Sequence, residues 1–291
     1  MDAINYVERS TKTVKKEMIV AKGVLNWLYY TPSGKLTLHM LLKRKFASTV
    51  VGHFMSSPLS VNQVNKFIEK YKIDLSQYYS DNGYKCFNDF FYRKLRPGKR
   101  IIGDRLVSPA DGKVLAFQDI SHITSFFIKG SEFKLHEFLK DKNLAKKYND
   151  GSMYIVRLAP TDYHRFHFPV SGRVSETKSL KGRYFSVSPV AMKKNIRIFS
   201  QNRRVYTIIN SEEYGDVLMA EIGAALVGSI IQTHEPHTHI QKGQEKGYFA
   251  YGGSTVVLIF EKGKVTIDSD LIENTKNHLE TEVKMGENIG G

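Results

Sequence analysis

Apolar and polar residues follow two rhythms along this chain, and the rhythm changes near residue 100. Leu38, Leu42, Phe46, Val50 and Phe54 recur every four residues, the spacing of one helix face. The segment 61–73 places Val61, Val64, Phe67, Ile68 and Tyr71 on one side of a second helix. The segment 87–100, FNDFFYRKLRPGKR, predicts a short helix stopped at Pro97-Gly98, and Pro32 and Pro58 punctuate the stretch before it. From Arg105 onward the pattern becomes short β-rich runs at 114–117, 125–128, 153–158, 205–209, 217–222, 227–231, 255–260 and 264–267. No long Pro/Ser-rich linker separates the halves. The expectation is an α+β chain, with a helical N-terminal region (1–100) joined to a β-rich body (101–291).

A weak internal echo runs through the body. Pro109-Ala110-Asp111-Gly112-Lys113-Val114 resembles Pro169-Val170-Ser171-Gly172-Arg173-Val174. Such pieces suit tight turns between paired strands and give the body barrel-sandwich-like elements, as in biotin or lipoyl carriers. The usual carrier-lysine context is missing.

Charge changes the picture of the N-terminal region. The chain carries 43 Lys and Arg against 29 Asp and Glu, a net charge of +14. No acidic residue lies between Glu17 and Glu69, a gap holding Lys22, Lys35, Lys43, Arg44, Lys45 and Lys66 with Trp27, Tyr29, Tyr30, Phe46 and Phe54. An apolar stripe with a basic flank suits an anionic membrane surface. A helix packed on its own core with its lysines in water fits this segment equally well. Nucleic acid is disfavoured, because no RNP-like, zinc-finger or Gly-x-x-Gly clamp pattern stands in a fitting context. Cys86 is the single cysteine, which excludes an intrachain disulfide and a cysteine zinc site. The N-terminus lacks the apolar core of a secretory signal, and no apolar run approaches the roughly 20 residues that span a bilayer.

Three segments hold a possible nucleophilic set. Tyr251-Gly252-Gly253-Ser254-Thr255 sets a hydroxyl after two glycines, at the rim of an apolar strand. A serine there could attack the Gly253 carbonyl and convert an amide into an ester, although a lone Gly-Gly-Ser-Thr more often makes a polar turn. Ser108-Pro109-Ala110-Asp111-Gly112 offers a carboxylate. The stretch 159–169 offers His164 and His167, with Asp162 as a turn or helix cap. Serine needs a base to take its proton, and the base works best when a carboxylate orients it. Asp111, one of the histidines and Ser254 would fill those roles. On an extended segment, residues three apart point to opposite faces, which would give the two histidines different jobs. On a turn they would share one site. His234, His237 and His239 resemble a metal site at first, but Pro236 and the polar neighbours favour a solvent-facing loop, so no metal is expected.

Together these segments resemble the phosphatidylserine decarboxylases. The matching pieces are FNDFFYRKLRPGKR (87–100), VSPADGKV (107–114), RLAPTDYHRFHFPVSG (157–172), EIGAALVGSI (221–230) and KGQEKGYFAYGGSTVVLIFEKGKV (242–265), in the family's order. The basic, aromatic N-terminal region resembles the membrane-docking extension of the longer bacterial type. One departure stands at Gly252, where the family's best-known Leu-Gly-Ser-Thr motif has leucine.

The resemblance implies a self-processing carboxy-lyase that converts phosphatidylserine to phosphatidylethanolamine in phospholipid biosynthesis. It implies cleavage between Gly253 and Ser254 into a β-chain (1–253) and an α-chain (254–291). Ser254 would become a covalent pyruvoyl cofactor, a ketone that captures the lipid's amine and takes up the electrons released with CO2. Asp111, His167 and Ser254 would form the cleavage triad, and His164 would serve decarboxylation. The implied partners are phosphatidylserine, an anionic membrane surface over about 18–68, the two cleaved chains and a second copy in a homodimer, with no nucleic acid. The implied location is peripheral, on the cytoplasmic face of the cell membrane. Three alternatives stay open: a pyruvoyl decarboxylase of a soluble amino acid, a non-catalytic barrel-sandwich carrier module, and a histidine-loop metalloenzyme.

Overall fold

The computed structural model describes residues 4–18, 20, 23, 27, 31–37, 45–123, 133–187, 197–223, 229–252 and 254–291. Among them, eleven strands form one sheet. Its order runs His239–Ile240, Gly172–Val174, Arg204–Ser211, Gly215–Gly223, Ser254–Phe260, Ser152–Leu158, Gly112–Phe117, Glu280–Val283, Ile4–Glu8 and Thr13–Glu17, with Lys178–Leu180 also pairing to Arg204–Ser211. Neighbours are antiparallel except Ile4–Glu8 against Glu280–Val283. A three-stranded sheet (Ile230–Gln232, Glu245–Phe249, Arg165–His167) and a two-stranded one (Asn288–Gly290, Leu106–Val107) complete the body.

The central runs are continuously apolar because both faces of the large sheet are covered. Val256, Leu258 and Phe260 join Tyr154, Val156 and Leu158 on one face, beneath Phe166, Phe168 and Phe249. Val257 and Ile259 join Met153 and Ile155 on the other, beneath Phe138, Leu139 and Phe199 from short helices. The two echoed glycines share one cause. A Cβ on Gly112 would lie 2.6 Å from the Arg157 carbonyl oxygen, and one on Gly172 would lie 2.3 Å from that of Asn210. Each glycine opens a strand pressed against its neighbour's backbone.

The N-terminal region is not all helical. Ile4–Glu8 and Thr13–Glu17 form a hairpin, with Ile4 opposite Glu17 and Glu8 opposite Thr13, that extends the large sheet. Its anchors are ionic. Arg9 bonds Asp268 at 2.8 Å and Asp270 at 2.7 Å, and Arg157 bridges Glu17 and Glu280 at 2.8 and 2.5 Å. Helices follow at Pro32–Thr37, Lys45–Ser56, Asn62–Tyr71 and Phe87–Phe91. Leu38, Leu42 and the run 125–128 lie outside the described residues, as do residues 227 and 228 of the run 227–231, from which Ile230 and Ile231 enter the strand Ile230–Gln232. Two expectations are corrected. The helix at 87 ends at Phe91, because the chain then pairs back, Tyr78 bridging Leu95 and Arg96 N–H donating to the Gln77 carbonyl. The run 264–267 is no strand, since it leaves the turn at Gly263 (φ +73°) and makes only a bridge from Ile267 to Gly290. Among the described residues, no helix is long and apolar enough to cross a membrane.

Candidate active site

Ser254 is the first residue of a central strand, opposite Gly223 on one side and Leu158 on the other. Glycine as one partner leaves room beside the serine side chain. Ser254 is fully buried, and among the described residues its Oγ has no hydrogen-bond partner. A buried, unpaired hydroxyl costs free energy, which makes Ser254 a candidate for chemistry rather than stability. The turn before it is held from the N-terminal side. Tyr251 N–H donates to Asn88 Oδ1 over 2.7 Å, and Asn88 Nδ2 donates to Ser56 Oγ over 2.8 Å. The Tyr251 ring meets Phe87 and Phe91 edge-on at 5.2 and 5.3 Å. The helix Phe87–Phe91 therefore braces the turn. Gly252 has φ +138°, open to glycine and strained for leucine. This turn thus takes a shape that a Leu-Gly-Ser-Thr sequence would resist.

The two histidines have different surroundings. His164 is fully buried and stacks on Phe91 at 3.8 Å between ring centres. Its Nδ1 donates to the Asp162 carbonyl over 2.9 Å, because a carbonyl can only accept, and among the described residues Nε2 has no partner. Burial pushes its pKa down to about 3, so the ring is neutral near pH 7. His167 donates from Nδ1 to the Gly243 carbonyl over 2.9 Å, and its Nε2 accepts from the Tyr163 hydroxyl at 3.1 Å. Burial lowers its pKa as well, opposed in part by the Gly243 carbonyl, Glu245 and Asp111. Both imidazoles thus carry the proton on Nδ1. One presents a free lone pair and the other a capped one.

Asp111 is buried, with Arg100 Nη2 donating to its Oδ2 over 2.9 Å and Met285 N–H to its Oδ1 over 2.8 Å. The backbone sets the Asp111 turn beside the His167 strand, His167 N–H donating to the Pro109 carbonyl over 2.7 Å. Among the described residues no hydrogen bond joins the side chains of Asp111, His167 and Ser254. Asp162 closes a turn, accepting from Ala159 N–H over 2.8 Å, and its carboxylate pairs with buried Lys113 at 3.0 Å.

Sequence reasoning passed over Asn88, Arg93, Arg100 and Tyr163, which hold the named residues in place. It also passed over a buried charge cluster on the Ser254 side of the sheet. Glu221 lies opposite Val256, two residues along the strand from Ser254. Lys246 donates to Glu221 over 3.0 Å and to Gln232 Oε1 over 2.7 Å, and both charged side chains are fully buried. Burial raises the Glu221 pKa and lowers that of Lys246. The histidine loop diverges. Half-buried His234 meets Phe168 edge-on, whereas His237 and His239 are exposed, and among the described residues no group of three His, Cys, Asp or Glu is placed to hold a metal.

Residues 87–291 match the phosphatidylserine decarboxylase family. The chain is 52% identical over 293 residues to a phosphatidylserine decarboxylase proenzyme of Fusobacterium nucleatum, covering 99% of this chain and 98% of that protein. It is 44% identical to one of Clostridium botulinum, over 99% of each chain. A third, from Desulfitobacterium hafniense, is 42% identical over 99% of this chain and 98% of its own. With a family match over most of its length and relatives alike from end to end, this chain belongs to the phosphatidylserine decarboxylase family.

Proposed function

We propose that this chain is a phosphatidylserine decarboxylase proenzyme, which cuts itself between Gly253 and Ser254 and then converts phosphatidylserine to phosphatidylethanolamine. The observation that carries this reading is the buried Ser254 Oγ at the head of a central strand, unpartnered among the described residues, in a chain similar throughout its length to proteins of that name. In the cut, Ser254 Oγ gives up its proton to a histidine and attacks the Gly253 carbonyl carbon, replacing the amide bond with an ester. Loss of the Cα proton of residue 254 expels the Gly253 carboxylate. Water then replaces the nitrogen of residue 254, which leaves as ammonia, and a ketone remains at the head of the α-chain.

His167 is the base in this reading, oriented at Nδ1 by the Gly243 carbonyl, and Asp111 on the adjacent turn favours its protonated form by charge. The Tyr163 hydroxyl must leave His167 Nε2 before that nitrogen can take a proton. Backbone N–H groups would stabilise the oxyanion, as in other acyl transfers.

The residues fit a pyruvoyl group at position 254: no side chain at Gly223, an apolar surround, and an uncharged His164 with a bare Nε2. When formed, that group supplies the electron sink for loss of CO2. His164 holds or returns a proton at Nε2. Apolar walls from Phe91, Leu158 and Tyr251 exclude water, which favours loss of a charged carboxylate.

Residues 18–68 bind an anionic leaflet by their basic and aromatic side chains. Met18, Trp27, Phe54 and Leu59 are exposed. Deleting 1–60 would also remove two strands of the large sheet, so the surface is better tested with Lys43, Arg44 and Lys45 changed together to glutamine in the full chain. Activity on phosphatidylserine vesicles should fall with added salt in the parent, and the substituted chain should bind vesicles more weakly. Turnover of a soluble amino acid, with none on phosphatidylserine, would point to another pyruvoyl decarboxylase.

A further inference from the structure

Arg93 is a buried cation without a carboxylate. It is 3% exposed, and among the described residues its guanidinium donates to main-chain carbonyls: Phe90 at 3.4 Å from Nη1, and Thr161 at 3.0 Å and Asp162 at 3.4 Å from Nη2. Among the described residues its Nε has no partner. The plane is gripped by aromatic rings, with Tyr78 at 4.4 Å and Phe90 at 5.0 Å. Removing a charge from water is costly, and carbonyl dipoles return less than a carboxylate would. A side chain in this state is kept for something besides stability.

The carbonyls identify the task. The Asp162 oxygen that accepts from Arg93 is the same oxygen that accepts from His164 Nδ1. The turn carrying it is clamped from the other side, where Lys113 and Ala159 N–H hold the Asp162 carboxylate. A single guanidinium nitrogen, Nη2, bonds two successive carbonyls and so fixes their direction, and a charged donor bonds more strongly than a neutral one.

We infer that Arg93 is a positioning residue for decarboxylation: by pinning the Asp162 carbonyl it keeps the proton of His164 on Nδ1 and leaves Nε2 as a bare lone pair. The inference rests on the reading in which His164 serves the decarboxylation step. Four groups surround His164: the Phe91 ring from the bracing helix, Arg93 just beyond that helix, Lys113 from Gly112–Phe117, and Asp162 from its own turn. The two cations oppose a charge on the imidazole, and Asp162 favours one. Arg93 thus acts twice, by geometry and by charge.

The test is 15N-histidine NMR on the full chain carrying Ser254→Ala, with and without Arg93→Met or Arg93→Lys, across pH 5–8. Kinetics on phosphatidylserine in detergent micelles follow, using the same Arg93 changes in the self-cleaving chain. Without an Arg93 change, His164 should show the Nδ1-protonated tautomer at every pH. Arg93→Met should mix the tautomers or bring titration into the range. It should lower kcat on the order of tenfold or more with KM within about twofold, while cleavage goes to completion. Arg93→Lys, which keeps a charged donor, should recover part of both effects. An Nε2-protonated or charged His164 in the Ser254→Ala chain would overturn the inference without any Arg93 variant. An unchanged tautomer in Arg93→Met, or a raised KM at constant kcat, would overturn it too, the latter making Arg93 a contact for the anionic headgroup. If the chain carrying Ser254 is never cut, the proposed function fails first, and the His164 tautomer still answers for Arg93.

Discussion

Tyr163 caps the imidazole of His167, its hydroxyl donating to Nε2 over 3.1 Å within a buried site. In the proposed cut that nitrogen takes the proton of Ser254, which requires the capped state to open first. Removing the hydroxyl removes one hydrogen bond from the resting state, worth about 1 kcal/mol. Tyr163→Phe should therefore speed self-cleavage by up to roughly fivefold. A time course of fragment appearance after cell-free synthesis measures this. Slower cleavage would mean that Tyr163 orients His167 rather than restraining it.

The brace on the cleavage turn is also open to test. Asn88 accepts from Tyr251 N–H two residues before Gly253, where the cut is proposed, and it is itself held by Ser56. Asn88→Ala leaves that N–H unpaired at a cost of about 1–3 kcal/mol. Cleavage should slow by about tenfold while the cut stays at Gly253/Ser254. Cleavage at the parent rate would show that the aromatic contacts alone hold the turn.

Glu221 and Lys246 form a fully buried pair, and losing one partner strands the other. In the Ser254→Ala chain, Lys246→Met alone should lower stability to urea by about 3–5 kcal/mol. Glu221→Leu with Lys246→Met should recover most of that loss, because two apolar side chains need no partner. A double variant as weak as the single one would show that Gln232 and the surrounding packing depend on the charges.

The histidines set an acid limit on stability. Burial lowers the pKa of both His164 and His167 below the ordinary 6.5, so below that pH the unfolded chain takes up protons that the folded chain refuses. Their contribution is therefore full above pH 6.5 and is lost as pH falls, toward about 3 for His164. Each such histidine contributes a slope of about 1.4 kcal/mol per pH unit. Urea midpoints of the Ser254→Ala chain should drop between pH 6.5 and 5, and His164→Gln should flatten part of that drop. Equal slopes with and without His164 would show that it is not held neutral.

Much of the body was legible because its central strands are apolar on both faces, as at Val256–Phe260 and Met153–Leu158. Ser254, His164, His167 and Asp111 stood out because turns and strand ends expose chemistry to a reader of sequence. The hairpin at 4–17 did not stand out. Its strands are short and mostly polar, and its anchors, Asp268, Asp270 and Glu280, lie more than 250 residues away. Arg93 and Arg100 were hidden in a basic run that reads as a solvated face. Nothing local says that one guanidinium is buried under Tyr78 and Phe90 while the other pairs with Asp111. Tyr163 was obscured by the histidines beside it, since spacing does not show which side chain caps which.

The central claim is that Ser254 cuts the chain before it. Intact-protein mass spectrometry under denaturing conditions, on the parent and on Ser254→Ala, tests it most directly. The parent should give two fragments, 1–253 and 254–291, the smaller carrying a ketone where its N-terminal amine would be, and Ser254→Ala should give one full-length mass. A single full-length mass from folded parent protein, unchanged when phosphatidylserine vesicles are present, would contradict the claim.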